Sequence, residues 1–260
     1  MVERSSRGKK KRKLLGNHQR SWLWGRNLVR ETLAAGRWLI HELHLSEELP
    51  AEELESACAI AKRQEIPTEV VHSDQLRRLC HASEHQGYLA RMGPFPYHTA
   101  ADLLETASEA SLFLILDGIQ DPYNFGAILR SAHGFGVDGV FIGERAQTPV
   151  SSMVARSSAG SINHVRIAQS SNLVSIVTAL RSRNVNVIGA SEKSDIVLSS
   201  CDLSRGTAIV IGNEGQGISP ELANECGQLI RIPLAGTLSS LNAAVATAIF
   251  CYESWRQRQR

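Results

Sequence analysis

The sequence predicts an α/β protein in two parts, a small α/β unit followed by a larger unit built on a mostly parallel sheet. From Ser111 onward, short apolar segments of strand length alternate with segments of helical character. The apolar segments are continuous, which is typical of parallel strands that helices cover on both faces. The segment GPFPYHT at 93–99 interrupts the pattern with two prolines and a glycine. In such folds ligands bind beyond the carboxyl ends of the strands, so the residues after each strand are candidates for a site.

The first half contains elements of ordinary length. Helices are predicted at 26–35, 51–64 and 73–81, and strands at 39–46, 68–72 and 87–92. Ser73 is the expected N-cap of the third helix, because a serine hydroxyl accepts a hydrogen bond from a free first-turn N–H. We predict that residues 21–95 form the first domain, residues 96–110 a linker, and residues 111–260 the second domain.

The second half is more regular. Strands are predicted at 112–116, 139–143, 164–168, 184–190, 207–212 and 229–233, and helices at 124–132, 151–159, 172–183, 220–226 and 241–255. The last of these helices is rich in alanine. Since small side chains let other backbone segments come close, we expect neighbouring parts of the chain to pack tightly around it.

The composition excludes several classes of protein. Hydrophobic residues make up 43% of the chain and charged residues 21%, as in ordinary globular proteins. No apolar run is long enough for a membrane span, and no signal-peptide pattern follows the basic N-terminus, so the cytoplasm is the expected location. The 5 cysteines are scattered and form no C-x-x-C pair. This argues against a disulfide framework and a structural zinc site, and we expect no metal.

The first 20 residues form a strongly basic arm. They carry eight lysines or arginines and one glutamate, a net charge of +7, whereas the whole chain carries +2. The arm has too few apolar residues to bury, so we expect residues 1–20 to be disordered when free. Charge alone leaves two interpretations open, an arm that binds phosphates and a tail that keeps the protein in solution.

A glycine-rich loop, VIGNEGQGIS at 210–219, follows one of the predicted strands. Its spacing is that of a P-loop, but Ile218 stands where the P-loop lysine reaches the phosphates. Glu214 would also repel a polyphosphate. Because glycine lets the backbone approach a ligand closely, the loop favours a neutral or cationic small molecule. A tight turn that needs glycine for its geometry alone is the weaker alternative.

Two other loops carry polar residues beyond predicted strands. Arg130 lies among apolar residues of its helix, so its charge needs either a partner or a stem that packs while the head reaches water. Asn124 is expected to cap that helix. Before the final helix, Ser239 or Ser240 is the expected cap, with Asn242 in the first turn.

The segment GFGVDG at 134–139 has the glycine spacing of a dinucleotide-binding fingerprint. That fingerprint must follow a strand and open a helix, whereas this segment follows a predicted helix and leads into a strand. Helix-ending and turn glycines explain it, so we reject a dinucleotide site here.

Together, the three loops resemble the SpoU (TrmH) family of SPOUT RNA 2′-O-ribose methyltransferases. The family pattern N-x-G-x-x-x-R is present as NFGAILR at 124–130, and G-x-E-G-x-G as GNEGQG at 212–217. The pattern I-P-x-x-G-x-x-x-S-L-N is present as IPLAGTLSSLN at 232–242. The first half also resembles the family's substrate-binding domain, through GRNLVRETL at 25–33 and HQGYLARM at 85–92.

The resemblance implies a fold, a cofactor and a set of site residues. The fold would be a parallel-sheet SPOUT domain with a deep trefoil knot, working as a homodimer, and the cofactor S-adenosylmethionine. By resemblance, the cofactor-binding residues are Gly212, Ile232 and Leu241, and the catalytic residues are Arg130, Asn124, Glu214, Ser240 and Asn242. A guanidinium stays protonated in proteins, so we expect Arg130 to orient a phosphate and stabilise an oxyanion rather than act as a base.

The implied reaction is methylation of a ribose 2′-hydroxyl in RNA. A substrate domain ahead of the catalytic half resembles the enzymes of large-subunit ribosomal RNA, so 23S ribosomal RNA is favoured over transfer RNA. Two alternatives stay open: a SPOUT enzyme that methylates a base nitrogen, and an RNA-binding protein without catalysis. A third, a nucleotide-dependent oxidoreductase, rests only on the misplaced segment GFGVDG.

Overall fold

The computed structural model describes residues 21–259. The predicted basic arm, residues 1–20, lies outside the described residues. Within them the chain forms two β-sheets flanked by helices, one sheet of four strands and one of six. The α/β class and the parallel sheet of the second half are confirmed.

The four-stranded sheet belongs to the first half. Its elements are β1 (Trp22–Trp24), α1 (Arg26–Ala35), β2 (Ile40–Ser46), α2 (Ala51–Arg63), β3 (Thr68–Val71), α3 (Ser73–Cys80) and β4 (Tyr88–Met92). The strand order is β1-β4-β2-β3, with β2 and β3 parallel and the other pairs antiparallel. Strand β1 was not predicted, because three buried residues are too few to show a periodicity.

The six-stranded sheet is parallel throughout, in the order β10-β8-β9-β5-β6-β7. Its strands are β5 (Leu112–Asp117), β6 (Gly139–Gly143), β7 (Ile167–Ser170), β8 (Asn186–Ala190), β9 (Thr207–Gly212) and β10 (Gln228–Ile230). Its helices are α4 (Ala100–Glu105), α5 (Pro122–Gly134), α6 (Ser152–Ser157), α7 (Leu173–Arg181), α8 (Pro220–Glu225) and α9 (Ala243–Arg258).

Strand order explains where a site can form. From β5 the chain runs outward through β6 and β7, then returns to build β8, β9 and β10 on the other side of β5. The order therefore reverses between β5 and β9, which pair from Leu112 with Thr207 to Asp117 with Gly212. A crevice at such a reversal is the usual ligand site of an open parallel sheet. The loop after β5 and the glycine loop after β9 both start there.

The two halves share a continuous apolar core. One buried cluster contains Leu33 and Leu43 from the first half together with Leu114 and Ile128 from the second. The predicted linker is partly structured, since it holds α4 and the backbone N–H of His98 donates to the carbonyl of Ile167 at 2.9 Å. The division at 21–95, 96–110 and 111–260 stays a prediction.

Two details differ from the predictions. The N-cap of α3 is His72 and not Ser73, because the helix begins one residue earlier and an imidazole nitrogen accepts from the N–H of Asp74. The segment 134–139 lies between α5 and β6, as predicted, with Gly136 at a φ of 68° in the left-handed region.

Candidate active site and comparison with known proteins

Three loops meet at the carboxyl ends of β5, β9 and β10. The side chain of Asp117, the last residue of β5, accepts a hydrogen bond from the backbone N–H of Ser219 at 2.6 Å. This bond ties the end of β5 to the end of the glycine loop, immediately before Pro220 opens α8. The site is thus fixed at the reversal of strand order.

The glycine loop folds back onto the end of its own strand. A Cβ on Gly212 would overlap the carbonyl carbon of Gly217, so no larger residue fits at position 212. Asn213 holds the turn, because its side-chain oxygen accepts from the N–H groups of Gly215 at 2.9 Å and Gln216 at 2.8 Å. No sequence pattern marks Asn213 as a site residue, although asparagine is favoured in turns for this kind of bond.

A cavity of about 180 Å³ opens beside the glycine loop. All three residues expected to bind the cofactor, Gly212, Ile232 and Leu241, line it. Further apolar walls come from Ile211, Ile230, Leu234 and Phe250, which we had not identified from the sequence. β10 ends at Ile230, so Ile232 lies in the irregular segment beyond the strand and not at its end.

The charges around the cavity fit a sulfonium cofactor better than a polyphosphate. Its charged lining consists of the carboxylates of Glu192 and Glu214 and the ammonium of Lys193. The balance is negative, which opposes phosphates and suits a ligand with a positive centre. The apolar walls suit a flat hydrophobic group such as a nucleoside, and the glycine backbone leaves polar groups within reach.

A chain of hydrogen bonds joins the three loops next to the cavity. Asn242 donates from its side-chain nitrogen to the side-chain oxygen of Asn124 at 3.0 Å. Asn124 in turn donates from its nitrogen to the carboxylate of Glu214. The residues of this chain, Asn242–Asn124–Glu214, come from three separate parts of the sequence, and each belongs to one of the three family patterns.

The direction of this hydrogen-bond chain is imposed by α9. The side-chain oxygen of Asn242 accepts from the N–H groups of Ala244 at 2.9 Å and Val245 at 3.3 Å, which can only donate. Asn242 must therefore turn its NH₂ group to Asn124, and Asn124 must then turn its own NH₂ group to Glu214. One helix N-terminus thus orients both amides.

The expected helix caps are wrong at both asparagines. Asp121 caps α5, accepting from the N–H of Tyr123 at 2.7 Å, with Pro122 in the first turn. Asn124 lies inside the helix, which leaves its side chain for the hydrogen-bond chain. Asn242 itself caps α9, in place of Ser239 or Ser240. Both serines are exposed and line the cavity.

Arg130 is separate from the other expected site residues, which either line the cavity or belong to the hydrogen-bond chain beside it. It is exposed, does not line the cavity, and its side chain forms no hydrogen bond or ion pair with any residue between 21 and 259. It follows Asn124 by six residues of α5, about 9 Å along the helix and on a different side. Its exposed side of the helix also carries Tyr123 and Ala127, at spacings that face the same way.

The glycine of the N-x-G-x-x-x-R pattern has a packing role. A Cβ on Gly126 would overlap the hydroxyl of Ser157, so this glycine lets α5 lie directly against α6. The Ser157 hydroxyl donates to the carbonyl of Pro122 at 3.0 Å across the same contact. Gly126 therefore fixes the start of α5, from which Asn124 projects.

Both halves of the chain match known protein families. The model of the SpoU rRNA Methylase family matches residues 111–252, and a model described as RNA 2′-O ribose methyltransferase substrate binding matches residues 22–98. The chain belongs to the SpoU rRNA methylase family. As a member of that family it is an S-adenosylmethionine-dependent RNA methyltransferase.

Relatives of this SpoU methylase match along nearly their whole length. A Bacillus subtilis protein described as a TrmH family tRNA/rRNA methyltransferase is 32% identical over 245 residues, which cover 93% of this chain and 98% of that protein. The crystal structure of an AdoMet-bound rRNA methyltransferase from Sinorhizobium meliloti is 26% identical with a TM-score of 0.79, covering 92% of this chain and 87% of that one. A TrmH family structure from Porphyromonas gingivalis is 30% identical with a TM-score of 0.75, covering 92% and 90%.

The described residues contain neither a membrane-spanning helix nor a cluster of metal ligands. Between residues 21 and 259, no helix is both long and apolar enough to cross a membrane. In the same part of the chain, no group of three or more His, Cys, Asp or Glu side chains is arranged to hold a metal ion.

Proposed function

We propose that this SpoU methylase transfers a methyl group to a ribose 2′-hydroxyl of ribosomal RNA, most specifically 23S RNA, in the cytoplasm. The observation that carries the proposal is the chain Asn242–Asn124–Glu214 beside a cavity that fits a sulfonium cofactor. The match of residues 22–98 to a 2′-O ribose substrate-binding model supports the ribose as target. The similarity to a Sinorhizobium meliloti protein described as an rRNA methyltransferase supports ribosomal RNA as the substrate.

Residues of the cavity would hold the cofactor, which supplies an activated methyl group on a positively charged sulfur. Ile232 and Leu241 would enclose its adenosyl group, and the backbone at Gly212 would face it closely. Glu214 would position substrate and cofactor from the edge of the cavity. The NH₂ group of Asn124 donates to this carboxylate, so the carboxylate stays turned towards Asn124.

The substrate hydroxyl needs orientation and the loss of its proton. Ser240 lines the cavity, and its hydroxyl forms no hydrogen bond with any residue between 21 and 259. We assign it to positioning the ribose. Because a guanidinium is a permanent cation and hydrogen-bond donor, Arg130 would bind the phosphate next to the ribose and stabilise negative charge that develops on the 2′-oxygen.

Arg130 would reach the cavity from a second copy of the chain. Next to it, α5 and α9 form an apolar groove lined by Ala127, Ala244, Val245, Ala248, Ile249 and Tyr252. Val245 is 49% exposed, Tyr252 48% and Trp255 41%. An exposed apolar surface of this kind is typical of a subunit interface.

A homodimer through this α5–α9 surface explains two observations at once. It covers apolar side chains that one chain leaves exposed. It also brings Arg130, whose side chain has no partner among residues 21–259, towards a cavity that no arginine in this part of its own chain lines. Phe135, Tyr252 and Trp255 extend the surface, with ring centroids 5.9 to 6.4 Å apart. Aromatic residues are enriched in such interfaces.

Alkaline hydrolysis of modified RNA tests the chemistry. A methyl group on the 2′-oxygen removes the nucleophile that cleaves the adjacent phosphodiester bond, so the methylated position resists alkali. We expect ribosomal RNA treated with the enzyme and labelled AdoMet to retain label in an alkali-resistant dinucleotide. Label released in a mononucleotide would show base methylation and would contradict the ribose assignment.

Mapping of modified sites tests the choice of RNA. We expect the loss of one 2′-O-methyl site in 23S RNA when the gene is deleted, restored by the wild-type gene and not by an Arg130→Ala variant. Loss of a transfer RNA site instead would favour the second candidate, a tRNA ribose methyltransferase, which the tRNA/rRNA description of the Bacillus subtilis relative supports.

A further inference from the structure

Three arginines of the first half differ sharply in their surroundings. Arg26 donates from Nε to the carboxylate of Glu53 at 2.8 Å, and Arg30 lies 3.7 Å from the same carboxylate. Tyr88 also donates to Glu53, at 2.8 Å. Arg26 and Arg30 thus share the carboxylate of Glu53, whereas Arg37 has no carboxylate partner between residues 21 and 259.

Arg37 lies in the seam between the two halves. Its Nη1 donates to the backbone carbonyl of Asn163 at 2.9 Å, and its Nη2 lies 2.8 Å from Nε2 of His98. Because a guanidinium only donates, Nε2 of His98 must accept, and the imidazole is neutral with its proton on Nδ1. Both contacts of Arg37 are with neutral groups, so neither contact supplies a negative charge that compensates its guanidinium.

A second arginine, Arg166, directly precedes Ile167, whose backbone carbonyl accepts from the N–H of His98 at 2.9 Å. Arg166 donates from Nε to the backbone carbonyl of Asp138 at 2.8 Å and from Nη1 to the hydroxyl of Thr106 at 3.1 Å. The carboxylate of Asp138 is turned to the N–H of Leu112 instead. Among residues 21–259, neither Arg37 nor Arg166 forms an ion pair.

The two guanidiniums of the seam repel each other, and they also disfavour a charge on His98. Burial, followed by the charge of Arg166, lowers the pKa of Arg37. Burial, followed by the charges of Arg37 and Arg166, lowers the pKa of His98, and the opposing effect of Asp102 is smaller. Half-buried positive charges that repel each other and form no ion pair are costly to hold, and an anion between them would remove the cost.

We propose that Arg37, Arg166 and His98, the seam cluster, form a binding site for a backbone phosphate of the RNA substrate. Two guanidiniums from different halves of the chain would each donate to phosphate oxygens, and the Nδ1–H of His98 would add a third donor. The inference rests on RNA being the substrate, and it is independent of which atom of the nucleotide is methylated.

The place of the seam cluster in the fold determines what it does for the reaction. It lies at the amino end of the edge strand β7, whereas the cavity lies at the carboxyl ends of β8, β9 and β10. With about 4.8 Å between strands and 3.3 Å per residue, the two are roughly 20 Å apart. The bound phosphate would therefore belong to a nucleotide away from the target, and the cluster would contribute to RNA affinity and not to the chemical step.

Salt dependence of RNA binding tests the proposal. The probe is a fluorescent 20-nucleotide single-stranded RNA of mixed sequence, titrated with the full chain and without cofactor. Each phosphate contact contributes about 0.7 to the slope of log affinity against log salt. We expect Arg37→Gln and Arg166→Gln each to lower the affinity about fivefold to tenfold and to reduce the slope by about 0.7.

Matched variants separate a phosphate site from other roles. Arg63→Gln removes one charge from an exposed arginine at the end of α2 and should change the slope by less than half as much. Arg37→Lys and Arg166→Lys keep the positive charge, so they should keep most of the wild-type slope of log affinity against log salt. An equal effect of Arg63→Gln, or lysine variants as weak as the glutamine variants, would overturn the proposal.

The RNA-binding test of the seam cluster is independent of the alkaline-hydrolysis test of the 2′-O assignment. Methylation of a base would leave the binding result intact, and a failed binding result would leave the alkali-resistant product intact. If the glutamine variants lowered the melting temperature but bound RNA with the wild-type slope, the seam cluster would only hold the two halves together, and the proposal would be wrong.

Discussion

At the scale of single residues, the site depends on the direction in which two asparagine amides point. The N-terminus of α9 offers only N–H groups to Asn242, and this fixes both amides as far as Glu214. The same residue thus caps a helix and orients a carboxylate beside the cavity. A substitution that preserves the cap but reverses the hydrogen bonding should separate these two roles.

Asn242→Asp is that substitution. One carboxylate oxygen would still cap α9, where a negative charge is favourable, while the other would face the acceptor oxygen of Asn124. Asn124 would have to flip and turn its oxygen to Glu214, which loses a hydrogen bond worth about 1.5–3 kcal/mol. We expect kcat to fall about tenfold to a hundredfold with an unchanged melting temperature.

Asn242→Ala is the matched control for the cap. It removes the capping oxygen and should lower the free energy of unfolding by about 1 kcal/mol. Thermal unfolding and steady-state methyl transfer measure the two effects on the same samples. An aspartate variant with the wild-type kcat would show that the hydrogen-bond chain is not needed for catalysis.

Arg130→Ala should abolish methyl transfer and spare the cofactor. The side chain does not line the cavity of its own chain, and its proposed contacts are with the RNA. We expect calorimetric AdoMet affinity within about a factor of two of the wild type, since no cavity contact is lost. A parallel loss of AdoMet binding and methyl transfer would place Arg130 in the cofactor site and refute its assigned role.

Sequence reasoning identified the residue types of the site better than their local geometry. Asn124 and Asn242 were expected at helix starts. Which residue caps a helix depends on where the helix begins, so an error of even one position assigns the cap to another residue. Their contact with each other joins positions 118 residues apart. No local pattern predicts such a contact, and only the resemblance placed the two in one site.

At the scale of elements, the glycine loop is the part whose geometry is most constrained. Gly212 ends β9 at the point where Gly217 folds back over it, and Asn213 closes the turn between them. Long buried strands such as β5 and β9 were predicted to within a residue, because continuous apolar runs identify them. The fold of the loop was not predictable in the same way, since glycine permits many conformations.

Gly212→Ala should disrupt this loop. Its Cβ would overlap backbone atoms of Gly217, and backbone cannot move aside as a flexible side chain can. We expect AdoMet affinity to fall at least tenfold and the melting temperature to drop by several degrees, as for other strained core positions.

Gly134→Ala is the matched control in the same half of the chain. A Cβ at this last residue of α5 meets no atom within 4 Å, and its φ is not in the left-handed region. Alanine is the better helix former by up to about 1 kcal/mol, so stability should be unchanged or higher. Equal losses of AdoMet binding in the two variants would contradict the close approach at Gly212.

At the scale of the whole molecule, charge is distributed very unevenly. The net charge of the whole chain is +2. The first 20 residues carry +7, so the remaining residues together carry −5. RNA binding by an acidic body then requires local basic sites, such as the seam cluster, or the arm. The arm lies outside the described residues, and its role stays a prediction, as does the trefoil knot that the resemblance implies.

Deletion of residues 1–20 should weaken RNA binding and make it less dependent on salt. Each arm residue that neutralises a phosphate releases counterions, so its removal reduces the slope of log affinity against log salt. Methyl transfer at saturating RNA should be preserved, because no site residue is removed. A salt slope equal to that of the full chain would show that the arm serves solubility alone.

The central claim is that the α5–α9 surface joins two chains so that Arg130 of one completes the cavity of the other. Mixing Arg130→Ala with Asn242→Asp tests it most directly. If Arg130 acts across the interface, each mixed dimer has one complete site, with the intact cavity of the first variant and the arginine of the second.

Arg130→Ala alone should be nearly inactive, and Asn242→Asp alone should keep about 1–10% of the wild-type activity. After the two are unfolded together and refolded in equal amounts, random pairing makes half of the dimers mixed, so activity should recover to about a quarter of the wild type. Activity that stays at the level of the separate variants, in a sample shown to contain mixed dimers, would mean that Arg130 serves its own chain or no site at all.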